Sequence, residues 1–302
     1  DEKLREQGKK FSNKIWNAFG LVKMWEENAI DKQNDNKSTF TWFESKLSKT
    51  IEDVDSSLAS YRISEALLSL YNFIWQDFFS TYLEYVKPNY GDAQDQETLK
   101  KTLKYFEQVL QLLHPFMPFI TEEIWHAMDA RAAGTSINLT TWPKASNIDA
   151  EALAKGEYSK EIISSIRDIR KKAQIKNVDK LSAFVLADNP SVYEDFIGKI
   201  EKLGGLESIL VSESEVSDAQ SFIVKGQQFY IELNQAIDVE SKRLEMEEEL
   251  KYTRGFLISV QKKLSNVRFV DNAPKKVVAM ERQKLEDAES KIKLLEESLA
   301  RL

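Results

Sequence analysis

The fold of the first half of this chain is decided by the stretch Leu113-His114-Pro115-Phe116-Met117-Pro118-Phe119-Ile120-Thr121-Glu122-Glu123-Ile124-Trp125. Its two prolines break one helix and begin another, because proline lacks the N–H group that a helix interior needs but is tolerated in a first helical turn. The aromatic and aliphatic residues around the prolines favour a packed interior. The stretch therefore predicts a junction between two helices whose apolar side chains lie in a bundle core.

Apolar residues recur every three or four positions before this junction, which is the spacing of one helix face. The four stripes are Phe11, Ile15, Ala18, Val22 and Trp25; Phe43, Leu47, Ile51, Val54 and Leu58; Ile63, Leu67, Leu70, Ile74 and Phe78; and Leu99, Leu103, Phe106, Leu110 and Leu113. A fifth helix begins near Pro118. Residues 1–147 are therefore predicted to form a helical-bundle domain. Most of the aromatic residues from Tyr71 to Tyr85 are interpreted as core. Trp16 fits either the core or base stacking, and the core is favoured.

The pattern changes after residue 147. A helix around Ile166 is followed by β-type runs at 181–186 and 206–211, and apolar residues alternate on both sides of a glycine turn from Phe222 to Ile231. The last pattern is typical of a β-hairpin. Residues 148–235 are predicted to be a small α/β module.

The final segment, residues 236–302, has apolar residues at alternating spacings of three and four, broken at Arg243, Thr253 and Glu281. Such heptad spacing on both sides of a short turn predicts an antiparallel coiled-coil hairpin, which we call the arm. The predicted fold class is thus mainly α. The predicted seam residues are Val239, Met246, Leu250, Leu257, Val260, Leu264 and Val267, then Val278, Leu285, Ala288, Ile292, Leu295, Leu299 and Leu302.

Composition narrows the class of protein further. The chain of 302 residues has a net charge of -7, so a nucleic-acid site must be a local basic surface. It has no cysteine, which excludes disulfides and thiolate metal sites and suits a reducing cytoplasm. No apolar run approaches the roughly 20 residues that span a bilayer. We therefore expect a soluble, cytoplasmic protein, and the start at Asp1 without methionine suggests a fragment.

The opening stretch, residues 113–125, closely resembles the anticodon-binding domain of the class I aminoacyl-tRNA synthetases for valine, isoleucine and leucine. The choice of the valyl-tRNA synthetase family comes from the end of the chain, which is similar to that family's C-terminal coiled coil. The other agreeing segments are Phe11-Ser12-Asn13-Lys14-Ile15-Trp16-Asn17-Ala18, Glu65-Ala66 and Tyr71-Asn72-Phe73-Ile74-Trp75 in the bundle, and Ile237-Asp238-Val239-Glu240, Leu264-Ser265-Asn266, Phe269-Val270 and Ala273-Pro274 near the end.

The resemblance implies a parent enzyme that activates valine with ATP and transfers it to its tRNA. The family's catalytic motifs, histidine-glycine-histidine and lysine-methionine-serine-lysine, are absent: Lys23-Met24 is followed by Trp25. His114 and His126, the two histidines, favour structural roles, and the adjacent Glu122 and Glu123 diverge by about 100 degrees on a helix. We therefore expect no catalytic residue, metal or cofactor in this chain, which should be inactive alone.

The first helix offers donors and cations for an anticodon loop. Lys9, Asn13 and Asn17 lie four residues apart, opposite the apolar stripe, with Lys10 and Lys14 beside them. An ordinary solvated helix surface explains the same pattern, and the family resemblance favours tRNA contact.

Two further basic clusters are candidates for phosphate contact. Arg167, Arg170 and Lys171 share one face of a helix, although such a cluster is often only solvated surface. The arm has 14 Lys and Arg against 13 Asp and Glu, and its cations gather near the turn. The resemblance implies that the arm holds the outer corner of the tRNA, where the D and T loops meet. The candidates there are Arg254, Lys262, Lys263, Arg268, Phe269, Lys275, Lys276 and Arg282. Phe269 either stacks on the RNA or closes the hairpin.

Two alternatives remain open from the sequence. A helical scaffold could use the heptads to recruit a protein partner, in which case an intermolecular zipper would make a dimer. An isoleucyl or leucyl relative would differ only in the tRNA that it binds. An intramolecular hairpin favours a monomer that binds valine tRNA.

Overall fold

The structure is a computed structural model that describes residues 2–176, 178–186, 191–217, 219–233, 239–266, 269–270 and 273–301. It forms two compact units, Asp1–Glu157 and Tyr158–Leu302. Helices predominate and one four-stranded sheet is present in the described part, which confirms the predicted mainly α class with a small α/β module. The predicted domain limits at residues 147 and 235 stay a prediction.

The first unit contains the predicted bundle. The junction between α5 (Gln96–Leu113) and α6 (Pro118–Met128) lies where the two prolines predict it, with Pro118 in the first turn of α6. A π-helical segment continues α3 (Ile63–Asn72) directly into α4 (Leu83–Val86), so that residues 63–86 are one uninterrupted helix. The bounds are α1 Glu2–Glu27, α2 Lys37–Ala59, α3 Ile63–Asn72, the π-helix Phe73–Tyr82, α4 Leu83–Val86, α5 Gln96–Leu113 and α6 Pro118–Met128, followed by a 3-10 turn at Ile137–Leu139 and by α7 Ala150–Lys172.

Aromatic rings fill the centre of the bundle. Phe43 on α2 is fully buried, and its ring centroid lies between 4.4 and 5.5 Å from four others, which are those of Phe73, Phe78, Tyr82 and Tyr105. Aromatic pairs at such separations add to the stabilisation that burial alone provides. The π-helix supplies three of these rings, which confirms the interpretation of the aromatic residues there as mostly core.

Three expectations about the bundle interior are wrong. Trp16 is 48% exposed, because it lies within about 60 degrees of Asn13 on the polar side of α1. Phe119 is 90% exposed at the start of α6, although Ile124 and Trp125 are buried as predicted. The predicted third stripe is exposed at its beginning, at Ile63 and Leu67, because Ala66 and Leu70 form the buried face of α3.

The second unit contains the predicted α/β module. Its strands are β1 Leu181–Leu186, β2 Leu206–Ser212, β3 Ala219–Val224 and β4 Gln227–Glu232, in the order β2-β1-β4-β3. β1 and β2 are parallel, with α8 Ser191–Glu194 and α9 Ile197–Gly204 between them in sequence, and the other two pairs are antiparallel. The predicted hairpin is confirmed: Lys225 and Gly226 both have positive φ, as a tight two-residue turn requires.

The arm consists of two helices, α10 Val239–Leu264 and α11 Lys275–Arg301. They are antiparallel, because Arg254 pairs with Glu296 whereas Lys263, further along α10, pairs with Glu281, earlier in α11. The predicted fold-back is therefore confirmed. Among the described side chains, those buried along the hairpin are Met246, Thr253, Val260, Val278, Glu281, Ala288 and Leu295.

Candidate nucleic-acid interface

The predicted polar face of α1 is exposed. Lys9, Asn13 and Asn17 point away from the buried Phe11 and Ile15, and their side chains make no hydrogen bond or ion pair with any residue that the structure describes. Their donors are therefore available to a ligand. Trp16, which is exposed on the same side of the helix, adds a flat apolar surface of the kind on which an unpaired base can stack.

The two lysines beside that face are less available. Lys10 forms an ion pair with Glu6 at 2.8 Å. The Lys14 amino group donates to the hydroxyl of Ser80 at 2.8 Å and lies 3.9 Å from the centroid of the Trp75 ring. Partial burial lowers the pKa of Lys14. Lys14 thus ties α1 to the π-helix and has few donors left for RNA.

The cluster on α7 divides between structure and surface. Arg170 is 3% exposed, and its guanidinium donates to the backbone carbonyls of Lys176, Asp179 and Gly205. Arg167 is exposed, but its Nε donates to the carbonyl of Leu203 at 3.1 Å. We therefore assign Arg170 to folding. Lys171 is exposed and makes no ion pair with any described residue.

Several predicted cations of the arm are engaged within it. Arg254 pairs with Glu296 across the hairpin at 2.6 Å. Lys263 donates to the buried Glu281 at 3.0 Å and lies 5.1 Å from the ring of Phe269, which is half-buried at the turn. Phe269 thus packs within the hairpin.

Other predicted cations of the arm are free. Lys262, Lys276 and Arg282 are exposed and have no acidic partner in the described part of the chain. Because Lys263 pairs with Glu281, their neighbours Lys262 and Arg282 lie at the same level of the hairpin. Arg268 and the side chain of Lys275 lie outside the described residues.

The two histidines and two buried tyrosines of the bundle have structural roles. His114 Nδ1 hydrogen-bonds Thr121 at 2.8 Å, and His126 Nε2 lies 3.1 Å from Glu122. Burial raises the pKa of Tyr82 and Tyr105 far above the usual range, so both stay neutral. Within the described residues no three acidic, histidine or cysteine side chains gather as a metal site would require. None of the described helices is long and apolar enough to cross a membrane.

Comparison with known proteins identifies the family of this chain. The family model described as the anticodon-binding domain of tRNA ligase matches residues 41–185. The one described as the valyl tRNA synthetase tRNA binding arm matches residues 237–302, which include both helices of the hairpin. The chain belongs to the valyl-tRNA synthetase family. The predicted family, including the choice of valine over isoleucine and leucine, is therefore confirmed.

The relatives agree along the whole chain. The valine–tRNA ligases of Parabacteroides distasonis and Christiangramia forsetii are 44% and 42% identical to it over 100% of its length. That of Thermotoga maritima is 28% identical over 99%. The chain spans only about a third of the length of these relatives, 34% to 35%, and corresponds to their C-terminal part.

The two matched regions differ in which predicted contacts they include. Arg167, Arg170 and Lys171 lie within the anticodon-binding match, whereas the polar face of α1 precedes it. For Trp16 the sequence leaves base stacking open but favours the core, whereas the structure exposes its side chain. Its angular position on a helical wheel, about 60 degrees from Asn13, was the signal that favoured exposure.

Proposed function

We propose that this chain is the tRNA-recognition portion of a valine–tRNA ligase. The bundle binds the anticodon stem-loop of valine tRNA and the arm binds the outer corner, so that a catalytic domain elsewhere in the parent enzyme attaches valine with ATP. The observation that carries the proposal is the succession of the two family matches, an anticodon-binding domain followed by a tRNA-binding arm, on one chain.

The surface chemistry of the arm supports the proposal. Lys262, Lys276 and Arg282 are cations without acidic partners in the described part of a protein whose net charge is -7. A cation that no carboxylate neutralises can displace a counterion from an RNA phosphate, which is the main source of sequence-independent affinity. Such contacts position the RNA without reading its bases.

The surface of α1 supports a role in reading bases. Asn13 and Asn17 each present a carboxamide with two donors and one acceptor oxygen, and neither group is used within the described structure. Single-stranded loops expose the base edges that such groups recognise. Trp16 extends the proposed contact as a stacking surface.

The parent is proposed to work in the cytoplasm as a monomer. The ion pairs Arg254–Glu296 and Lys263–Glu281 join the two helices of one chain, so the seam is occupied without a second copy. The heptads are therefore explained without a protein partner.

A tRNA-binding titration at several salt concentrations tests the proposal. The chain is titrated with valine tRNA, with the same tRNA carrying an altered anticodon, and with an unrelated tRNA. We expect valine tRNA to bind best and its affinity to fall steeply with salt. Equal binding of all three RNAs, or no binding at low salt, would contradict the proposal.

Matched variants separate the two contact surfaces. K262Q/R282Q should lower the salt slope by about one to two, whereas K251Q/K293Q, which removes two exposed and unpaired cations elsewhere on the same helices, should leave it unchanged.

N13A/N17A should reduce the preference for the valine anticodon roughly tenfold, on the scale of a lost base contact. N28A/N89A, two exposed asparagines outside the α1 face, is its control.

A further inference from the structure

The turn between α7 and β1, described at residues 173–176 and 178–180, is held by an unusual buried group. The guanidinium of Arg170 donates to the carbonyls of Lys176 and Asp179 in this turn and to that of Gly205 before β2. Backbone bonds add to the constraint, since Ile175 N donates to the Arg170 carbonyl at 2.9 Å. The Arg170 side chain and these backbone bonds therefore hold the turn together.

Arg170 brings a positive charge into this place. A buried cation is costly unless it is paired and hydrogen-bonded, and the groups to which Arg170 donates in the described structure are carbonyl oxygens, not a carboxylate. The carbonyls accept from its two terminal nitrogens, whereas its buried Nε has no hydrogen-bond partner among the described residues, and the positive charge stays in place. Asp179 interacts with it only through space, and burial lowers the pKa of Arg170.

The surface of the turn is also cationic. Lys171, Lys176 and Lys180 are exposed, and none has an acidic partner among the described residues. Between residues 167 and 180 there are six Lys and Arg against two acids, Asp168 and Asp179, in a protein whose net charge is -7. The positive charge is thus concentrated here against the trend of the whole chain.

Folding explains only part of this concentration. A lysine in the last turn of a helix interacts favourably with the helix dipole, which accounts for Lys171 at the end of α7. Lys176 and Lys180 lie beyond the helix, where that effect has faded. Between them Val178 is 79% exposed, so apolar packing does not hold the turn's outer surface.

We propose that Lys171, Lys176 and Lys180 form a further RNA-backbone site on the α/β module, with Arg170 fixing the turn that presents them. The inference rests on the proposed function and deepens it, because it adds a contact to the same RNA that is separate from the α1 face and the arm. Lysine ammonium groups act as point charges toward phosphate oxygens, so this site is indifferent to base sequence. Arg167 is not part of it, since its Nε is bonded to the carbonyl of Leu203.

The test is the salt dependence of tRNA binding by the whole chain. K171Q/K176Q/K180Q is compared with K37Q/K100Q/K104Q, which removes the same charge from three exposed, unpaired lysines of the bundle. We expect the first variant to lower the slope of log K against log salt by about two, and the control to leave it unchanged. The first variant should weaken valine tRNA and its anticodon mutant by the same factor, because backbone contacts do not read the anticodon.

The possible failures are distinguishable. If the wild-type chain binds no tRNA, the proposed function falls and this site falls with it. If the wild type binds valine tRNA selectively but the triple variant keeps its salt slope, the site is overturned while the proposed function stands. The site would also be overturned if the triple variant lost binding to phosphatidylserine vesicles while its tRNA binding stayed unchanged, since the turn would then be a membrane contact.

Discussion

The bundle and the arm bury their side chains in different ways. In the bundle, Phe43 is surrounded by rings from two other helices and is fully buried. In the arm, two helices cover one another along a narrow line, and the buried positions include Thr253 and Glu281. Stability is thus concentrated in the bundle, whereas most side chains of the arm are exposed and available for contact.

The six tryptophans make the two regions separately measurable. All of them, the last being Trp142, lie in the first unit, and none lies in the arm. Tryptophan fluorescence therefore reports unfolding of the bundle, while amide hydrogen exchange in residues 239–301 reports opening of the arm. Substitutions in each region can then be compared through its own signal.

The largest expected effect comes from emptying the aromatic centre. Phe43→Ala should lower the free energy of unfolding of the bundle by about 3 to 5 kcal/mol, because the rings around the cavity cannot fully close it. Leu295→Ala in the arm should cost only about 2 kcal/mol, the lower end of the range for a buried leucine, because one helix covers it. Urea unfolding followed by fluorescence and by hydrogen exchange measures both. A larger loss for Leu295→Ala would reverse the comparison.

A smaller effect is expected where a helix approaches a ring closely. A Cβ on Gly156 would lie 2.0 Å from Cδ1 of Trp42, a side chain that is fully buried. Gly156→Ala should therefore destabilise the bundle by about 1 to 3 kcal/mol, although alanine favours a helix.

Gly20→Ala on α1 is the control for that substitution. A Cβ there meets nothing within 4 Å, so the variant should gain up to about 1 kcal/mol. Thermal unfolding followed by fluorescence compares the two. Equal shifts in the same direction would show that the contact with Trp42 does not limit position 156.

The smallest expected effect is a pH dependence in the arm. Hydrogen bonds from Lys263 and Lys284 lower the pKa of Glu281. A carboxyl group whose pKa is lower in the folded state stabilises that state above the ordinary glutamate range, and this stabilisation is lost as the pH falls through the lowered pKa. Glu281→Gln should therefore lower the hydrogen-exchange protection of the arm at neutral pH. In acid, its protection should differ little from that of the wild type.

Hydrogen exchange in residues 276–290, corrected for the intrinsic rate at each pH, measures this dependence. Glu289→Gln, an exposed glutamate on the same helix without an ion pair to any described residue, is the matched control. We expect the control to leave protection unchanged at every pH. A constant difference between Glu281→Gln and wild type from neutral to acid pH would argue against a titrating Glu281.

The sequence predicts most of the fold because its signals are local. The positive φ values at Lys225 and Gly226 are what a hairpin turn demands, and glycine supplies one of them. The π-helix has no such signal. It appears only in the structure, where the backbone forms it over Phe73–Tyr82 and the hydroxyls of Ser80 and Thr81 donate to carbonyls five residues earlier.

The candidate site is harder to predict, because availability depends on tertiary partners. Lys262 and Lys263 are neighbours of the same chemistry, yet only Lys263 meets an acid on the facing helix. Arg170 and Lys171 are also adjacent, and only the first is buried by the turn and the strands beyond it. Sequence spacing gives the face of one helix but not what covers it.

The number of residues in the paired helices sets the length of the arm. α10 has 26 residues, so at about 1.5 Å per residue it extends roughly 39 Å. Removing one heptad from each helix would preserve which side chains meet in the seam but shorten the reach by about 10 Å. Natural selection can therefore change the length of the arm in steps of one heptad, while the residues at its turn stay the same.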